Sequence, residues 1–206
     1  MITSRRFATL AALAGLSLAL STSAALAAAT VGQPAPTFSL PGSDGKTHAL
    51  ADYSGKIVVL EWFNQECPFV KKHYDSQNMQ NLQRDYTGKD VVWLSVVSSA
   101  PGKQGHQTAS EAAAATKELN ASPTVVLLDE SGSVGQSYGA KTTPHMFVIG
   151  KDGTLLYQGA IDDDPSFKPD NIPTSKNYVR KALDETLAGK PVSEPMSTPY
   201  GCSVKY

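Results

Sequence analysis

Three short runs of almost unbroken apolar sequence, residues 57–63, 91–97 and 124–128, constrain this chain more than any other feature in it. Strands that face solvent on one side alternate apolar and polar residues, whereas these runs are rich in Val, Ile and Leu throughout, as strands buried on both faces must be. Between them lie segments of helical character. In residues 68–86, Val70, Tyr74, Met79, Leu82 and Tyr86 recur near a 3.6-residue period, and Pro68 suits the first helical turn. Residues 108–119 are alanine-rich, with Thr108 or Ser110 available as caps. A sheet covered by helices on both sides follows from this alternation, with parallel strands at its centre.

Further along, Gly150-Lys151-Asp152-Gly153 separates two strand-like runs, 144–149 and 154–160, and predicts an antiparallel hairpin. A short helical segment is expected at 134–138, and a last helix at 176–187 stops at Gly189 and Pro191. The expected fold class is therefore α/β: a three-layer α/β/α sandwich with a central mixed sheet and a C-terminal antiparallel hairpin. Residues 189–206 carry three prolines and read as an irregular tail.

The N-terminus has the organisation of an export signal. Arg5 and Arg6 precede an apolar run of about 14 residues, shorter than the ~20 that a bilayer-spanning helix needs, and Ala25-Leu26-Ala27 has the small-residue pattern of a cleavage site. Ser4-Arg5-Arg6-Phe7 has a twin-arginine character, which leaves the export route open. The expected organisation is a signal peptide over 1–27, one domain over 28–188 and the tail over 189–206, in a periplasmic or secreted protein without stable membrane insertion after cleavage. Losing Arg5 and Arg6 from 18 basic residues leaves 16 against 19 acidic ones, a net charge of −3. Such a charge gives no electrostatic reason to expect nucleic acid as a partner.

Two cysteines are too few for a disulfide framework, so each must be accounted for singly. Cys67 stands where the first long strand ends and the first long helix begins. The unpaired N–H groups and positive dipole end of a helix start favour thiolate there. Glu66 and Glu61 oppose that effect, and Lys71 and Lys72 partly offset them.

Residues 58–70, Val-Val-Leu-Glu-Trp-Phe-Asn-Gln-Glu-Cys-Pro-Phe-Val, resemble the active-site segment of thioredoxin-like proteins, specifically the peroxiredoxin-like or redoxin group of alkyl hydroperoxide reductase and thiol-specific antioxidant type. The resemblance extends from Gly32-Gln33-Pro34-Ala35-Pro36 through Tyr138-Gly139-Ala140 to Thr142-Thr143-Pro144, nearly the whole mature chain. It implies that Cys67 takes the place of the first cysteine of a C-x-x-C pair and Glu61 that of the buried acid behind it. Thr143-Pro144 would be the cis-proline step, packed opposite the thiol with its backbone free to pair with an extended substrate. His145, directly after it, is either a packing residue or a neighbour that tunes Cys67.

The departures shape the functional expectation. Val70 replaces the second cysteine of C-x-x-C, while Asn64 and Leu60 stand where peroxiredoxins carry threonine and proline. Attention passes to Cys202 in the tail, which an extended chain of ~45 Å can bring to Cys67 across a domain whose radius of gyration is about 16 Å.

Three readings of the pair remain. Cys67 is a nucleophile and Cys202 resolves it, in a thiol-disulfide oxidoreductase or peroxiredoxin-like antioxidant that needs no cofactor. Its partners would then be protein thiols, disulfides or a peroxide, together with an exported or membrane thiol reductant. Alternatively, Cys67-Cys202 is a structural staple in a catalytically inactive binding module, contributing up to about 5 kcal/mol by closing a loop of about 135 residues. In the third reading, Cys67, Cys202 and His145 or His73 hold Cu(I). Elsewhere, His106 reads as solvated in the loop 100–107, His48 stands near an early strand with no partner in sequence, and Asp162-Asp163-Asp164 reads as a solvated loop because consecutive acids lack the alternating spacing of a calcium site.

Overall fold

The computed structural model describes residues 28–206, so the expected signal peptide lies outside the described residues. In chain order the elements are β1 (Ser39–Pro41), β2 (Thr47–Ala49), β3 (Val58–Trp62), α1 (Pro68–Asp75), α2 (Asn78–Thr87), β4 (Val92–Val97) and α3 (Ala109–Glu118). They continue with β5 (Val125–Leu128), α4 (Ser133–Tyr138), β6 (Thr142–Thr143), β7 (His145–Ile149), β8 (Leu155–Gly159), α5 (Tyr178–Leu187) and β9 (Cys202–Ser203).

The central sheet has the order β5-β4-β3-β7-β8. Its first three strands are parallel, as the apolar runs require, and the hairpin β7-β8 continues it antiparallel. Alternate residues of each strand feed two separate cores. Val59, Trp93, Val126, Met146 and Val148 pack beneath α1, α2 and α5, while Leu60, Trp62, Leu94, Leu127 and Phe147 pack against α4 and the N-terminal segment. Both faces are thus dry, and the fold is the three-layer thioredoxin-like α/β sandwich.

Two expectations are corrected. The helical period over residues 68–86 is not one helix: Gln77 adopts the left-handed conformation at φ 62°, and Ser76 bonds back to the Lys72 carbonyl at 2.7 Å. Serine competes for helix carbonyls in this way, and the break allows α2 to restart with Gln83 turned into the core. Residues 189–206 are not irregular throughout either. Ser197 Oγ accepts from the Ala160 N–H at 2.9 Å, and β9 then pairs antiparallel with β6. No helix among the described residues is long and apolar enough to cross a membrane.

Candidate functional site

Cys67 closes the turn after β3. Asn64 Oδ1 accepts from the Glu66 N–H at 2.9 Å, and the Cys67 N–H donates to the Asn64 carbonyl at 3.0 Å. This small polar turn delivers the thiol to the N-cap of α1, with Pro68 in the first turn where no N–H is needed. Loop 100–107 braces the turn, since the Gly105 N–H donates to Glu66 Oε1 and a side chain at Gly105 would collide with Asn64. Glu66 is therefore spent on the loop. Lys72 is likewise turned away from the thiol, because its ammonium is buried against Asp162 and Asp164.

The Cys67 sulfur meets two other sequence-singled residues. Its thiol donates to the Thr143 carbonyl at 3.0 Å, and the Thr143-Pro144 peptide is cis. Cys202 lies directly opposite Thr143 in the β6-β9 ladder and packs against the buried cluster that contains Cys67. Both cysteines are free thiols; Cys67 is fully buried and Cys202 partly exposed. The strand edge that the resemblance left open for an extended substrate is thus paired with the chain's own β9. Gly201 permits this approach: at φ +140° it lies so close to Thr143 that a Cβ would overlap the carbonyl.

Burial alone would push the Cys67 thiol up, but hydrogen bonds from the Cys202 side chain and from the N–H groups of Val70 and Cys202 outweigh it and hold the thiol below its ordinary value. Cys202 moves the opposite way, pushed up to about 11 by burial and by the neighbouring Cys67. The two thiols are therefore shifted in opposite directions, Cys67 down and Cys202 up. Replacing Cys202 by alanine removes the donor and leaves the burial, so the Cys67 midpoint is expected to rise, measured by the pH dependence of thiolate ultraviolet absorbance. An unchanged midpoint would show that the helix start alone sets it.

Glu61 occupies the buried-acid position but is enclosed in its own network. Tyr74 Oη donates to Oε1 at 2.8 Å, while Trp93 Nε1, Ser95 Oγ and Gln83 Nε2 donate to Oε2 at 2.8, 3.0 and 3.2 Å. Burial nevertheless raises its pKa, against those four donors. His145 is a packing residue: its Nδ1 accepts from the Lys141 N–H at 3.3 Å and its ring lies 4.5 Å from that of Phe147. Burial depresses it to about 4, which keeps it neutral.

Among the described residues no group of three or more His, Cys, Asp and Glu is placed to hold a metal, so the copper set of Cys67, Cys202 and His145 is not assembled. His73 is engaged instead with Tyr200 and Asn78. The acidic triplet is corrected as well. Asp162 is buried and accepts a hydrogen bond from Tyr200. Tyr200 escaped notice in the sequence, although it stands two residues before Cys202, between Pro199 and Gly201.

The family model described as Redoxin matches residues 30–175. An uncharacterized conserved protein from Geobacillus kaustophilus is similar at 30% identity and a TM-score of 0.76, over 86% of this chain and 92% of that one. A hypothetical protein from Sinorhizobium meliloti 1021 gives 27% and 0.73, over 86% and 94%. The pneumococcal exposed lipoprotein thioredoxin from Streptococcus pneumoniae gives 29% and 0.51, over 73% and 99%. No curated protein matches the chain.

Proposed function

The chain belongs to the Redoxin family, and on that premise we propose that it is an exported thiol redox enzyme in which Cys67 is the nucleophile and Cys202 resolves it. The observation that carries this reading is the contact of the two side chains beside Thr143, with Cys67 lowered and Cys202 raised in pKa. Against a disulfide, the Cys67 thiolate bonds to one sulfur and expels the other as thiolate. Cys202 then attacks the Cys67 sulfur, its proton passes to the departing thiolate, and a Cys67-Cys202 disulfide remains; two thiols are oxidised and one substrate disulfide is reduced. Against a peroxide, Cys67 takes one oxygen as sulfenic acid with release of water or alcohol, and condensation with Cys202 releases water. An external thiol reductant restores the pair.

Thr143 and Pro144 supply the strand edge at which an extended substrate would pair once β9 vacates it. Export rests on the N-terminal sequence, and the similarity to an exposed lipoprotein thioredoxin accords with it.

One observation favours the structural staple: Cys67 is 0% exposed beneath a docked tail. Treating the reduced protein with oxidised glutathione or hydrogen peroxide, mapping the disulfide by mass spectrometry and measuring its potential separates the two readings. An exchangeable pair is expected near −200 mV, whereas a value below about −300 mV would establish a staple and overturn turnover.

A further inference from the structure

The cluster that the chemistry of Cys67 leaves unused is a buried polar pocket formed by Lys72, His73 and Asp162. The Lys72 and His73 side chains are 0% exposed and that of Asp162 is 2% exposed. Burying such groups is costly, and a buried ion pair is by itself weak evidence for stability. What unites these residues is the phenol of Tyr200. Asp162 Oδ1 accepts the Tyr200 hydroxyl proton. His73 Nε2 lies 3.0 Å from the same oxygen and Lys72 Nζ 3.5 Å from it, with the ammonium 5.3 Å from the ring centroid.

The tautomer follows from the partners. Asn78 Nδ2 donates to His73 Nδ1 at 2.8 Å, so the ring proton sits on Nε2 and is donated to the phenol oxygen. Tyr200 therefore accepts from His73 and donates to a carboxylate, and a hydrogen bond to a charged group is the stronger kind. Phe69, two residues after Cys67, lies 5.9 Å from its ring.

We propose that Tyr200 is a positioning residue, the latch that holds Cys202 over Cys67 and keeps the chain's own tail on the Thr143 edge. The inference rests on the Cys67-Cys202 reading above and deepens it. Gly201 lets the backbone drop onto Thr143 immediately after the latch, and Cys202 follows in register. Downstream, the Val204 N–H donates to the Lys141 carbonyl at 3.1 Å and Tyr206 Oη to the Ala140 carbonyl at 2.8 Å. Cys202 is thus held between two anchors, of which only Tyr200 is tied to charged groups. Holding a segment at one site sets the effective concentration of the thiol it carries. Releasing Tyr200 lowers that concentration and opens the edge.

The test equilibrates the full chain and Tyr200→Phe with glutathione redox buffers and compares the fraction of Cys67-Cys202 disulfide. Phenylalanine keeps the ring beside Phe69 and removes only the hydroxyl. The disulfide equilibrium constant is expected to fall about tenfold or more. In a Cys67→Ser background, the same change is expected to raise the alkylation rate of Cys202 by a similar factor, whether or not a disulfide forms. Equal equilibria and equal alkylation rates would overturn the latch. A wild-type chain that forms no disulfide would overturn the resolving role alone, because the alkylation arm still reads the docking. Should Tyr200→Phe fail to fold, Asp162→Asn removes the charged acceptor of the hydroxyl, and the same fall in the equilibrium constant and rise in alkylation rate are expected; wild-type values there would overturn the proposal.

Discussion

Replacing Cys67 by serine is expected to abolish thiol-disulfide and peroxide turnover, a loss of more than about a thousandfold, because serine at that position cannot supply a thiolate. Replacing Cys202 by serine is expected to give a different phenotype. The first attack proceeds, but the mixed disulfide or sulfenic acid on Cys67 persists and is detectable by mass spectrometry or a sulfenic-acid probe. Serine keeps a hydroxyl donor beside the thiolate, so the lost function is resolution rather than activation. A Cys202→Ser protein that turns over at the wild-type rate would remove Cys202 from the mechanism. The pair of outcomes tests the geometry at Thr143, where the buried, lowered thiol faces the partly exposed, raised one.

The largest expected effect on stability comes from Glu61. Leucine there removes the acceptor for Trp93 Nε1, Ser95 Oγ, Gln83 Nε2 and Tyr74 Oη, all buried. An orphaned buried donor costs about 1–3 kcal/mol, so Glu61→Leu is expected to lose at least about 3 kcal/mol in chemical denaturation. Glu61→Gln retains one acceptor oxygen and isolates the charge.

Because burial raises the folded pKa of Glu61 above its ordinary value, the folded state binds the proton more tightly than the unfolded state does. The stability linked to that proton is complete below the unfolded pKa and is lost as pH rises through the folded one. The wild-type advantage over E61Q is therefore expected to shrink across that window. An advantage that grows with pH would show that the four hydrogen bonds, and not desolvation, govern the carboxyl.

Much of the fold was legible because its central strands are buried on both faces, and that burial writes an apolar run that few other structures tolerate. Helix ends were legible where capping chemistry is local. Thr108 caps α3 by accepting from the Glu111 N–H, whereas α5 begins at Tyr178 behind the cap Asn177, two residues after the expected start. The break at Gln77 was not, because the apolar period runs through it from Tyr74 to Met79 without interruption. Asp162 reads as part of a solvated loop, and Lys72 as an offset to Glu66 and Glu61, for a similar reason. Nothing within a few residues of either shows that they meet across 90 positions of sequence and share a tyrosine from the tail.

By itself the sequence determined the layers of the sandwich, the order of its elements and the placing of one thiol at a helix start, since each depends on periodicity or on neighbours along the chain. Only the tertiary structure decided what that thiol faces. The Thr143 carbonyl, Cys202 and the Tyr200 pocket reach it through a strand pairing between residues about 60 apart, and a pairing of that range is set by the fit of side chains and backbone in three dimensions, which no local pattern encodes.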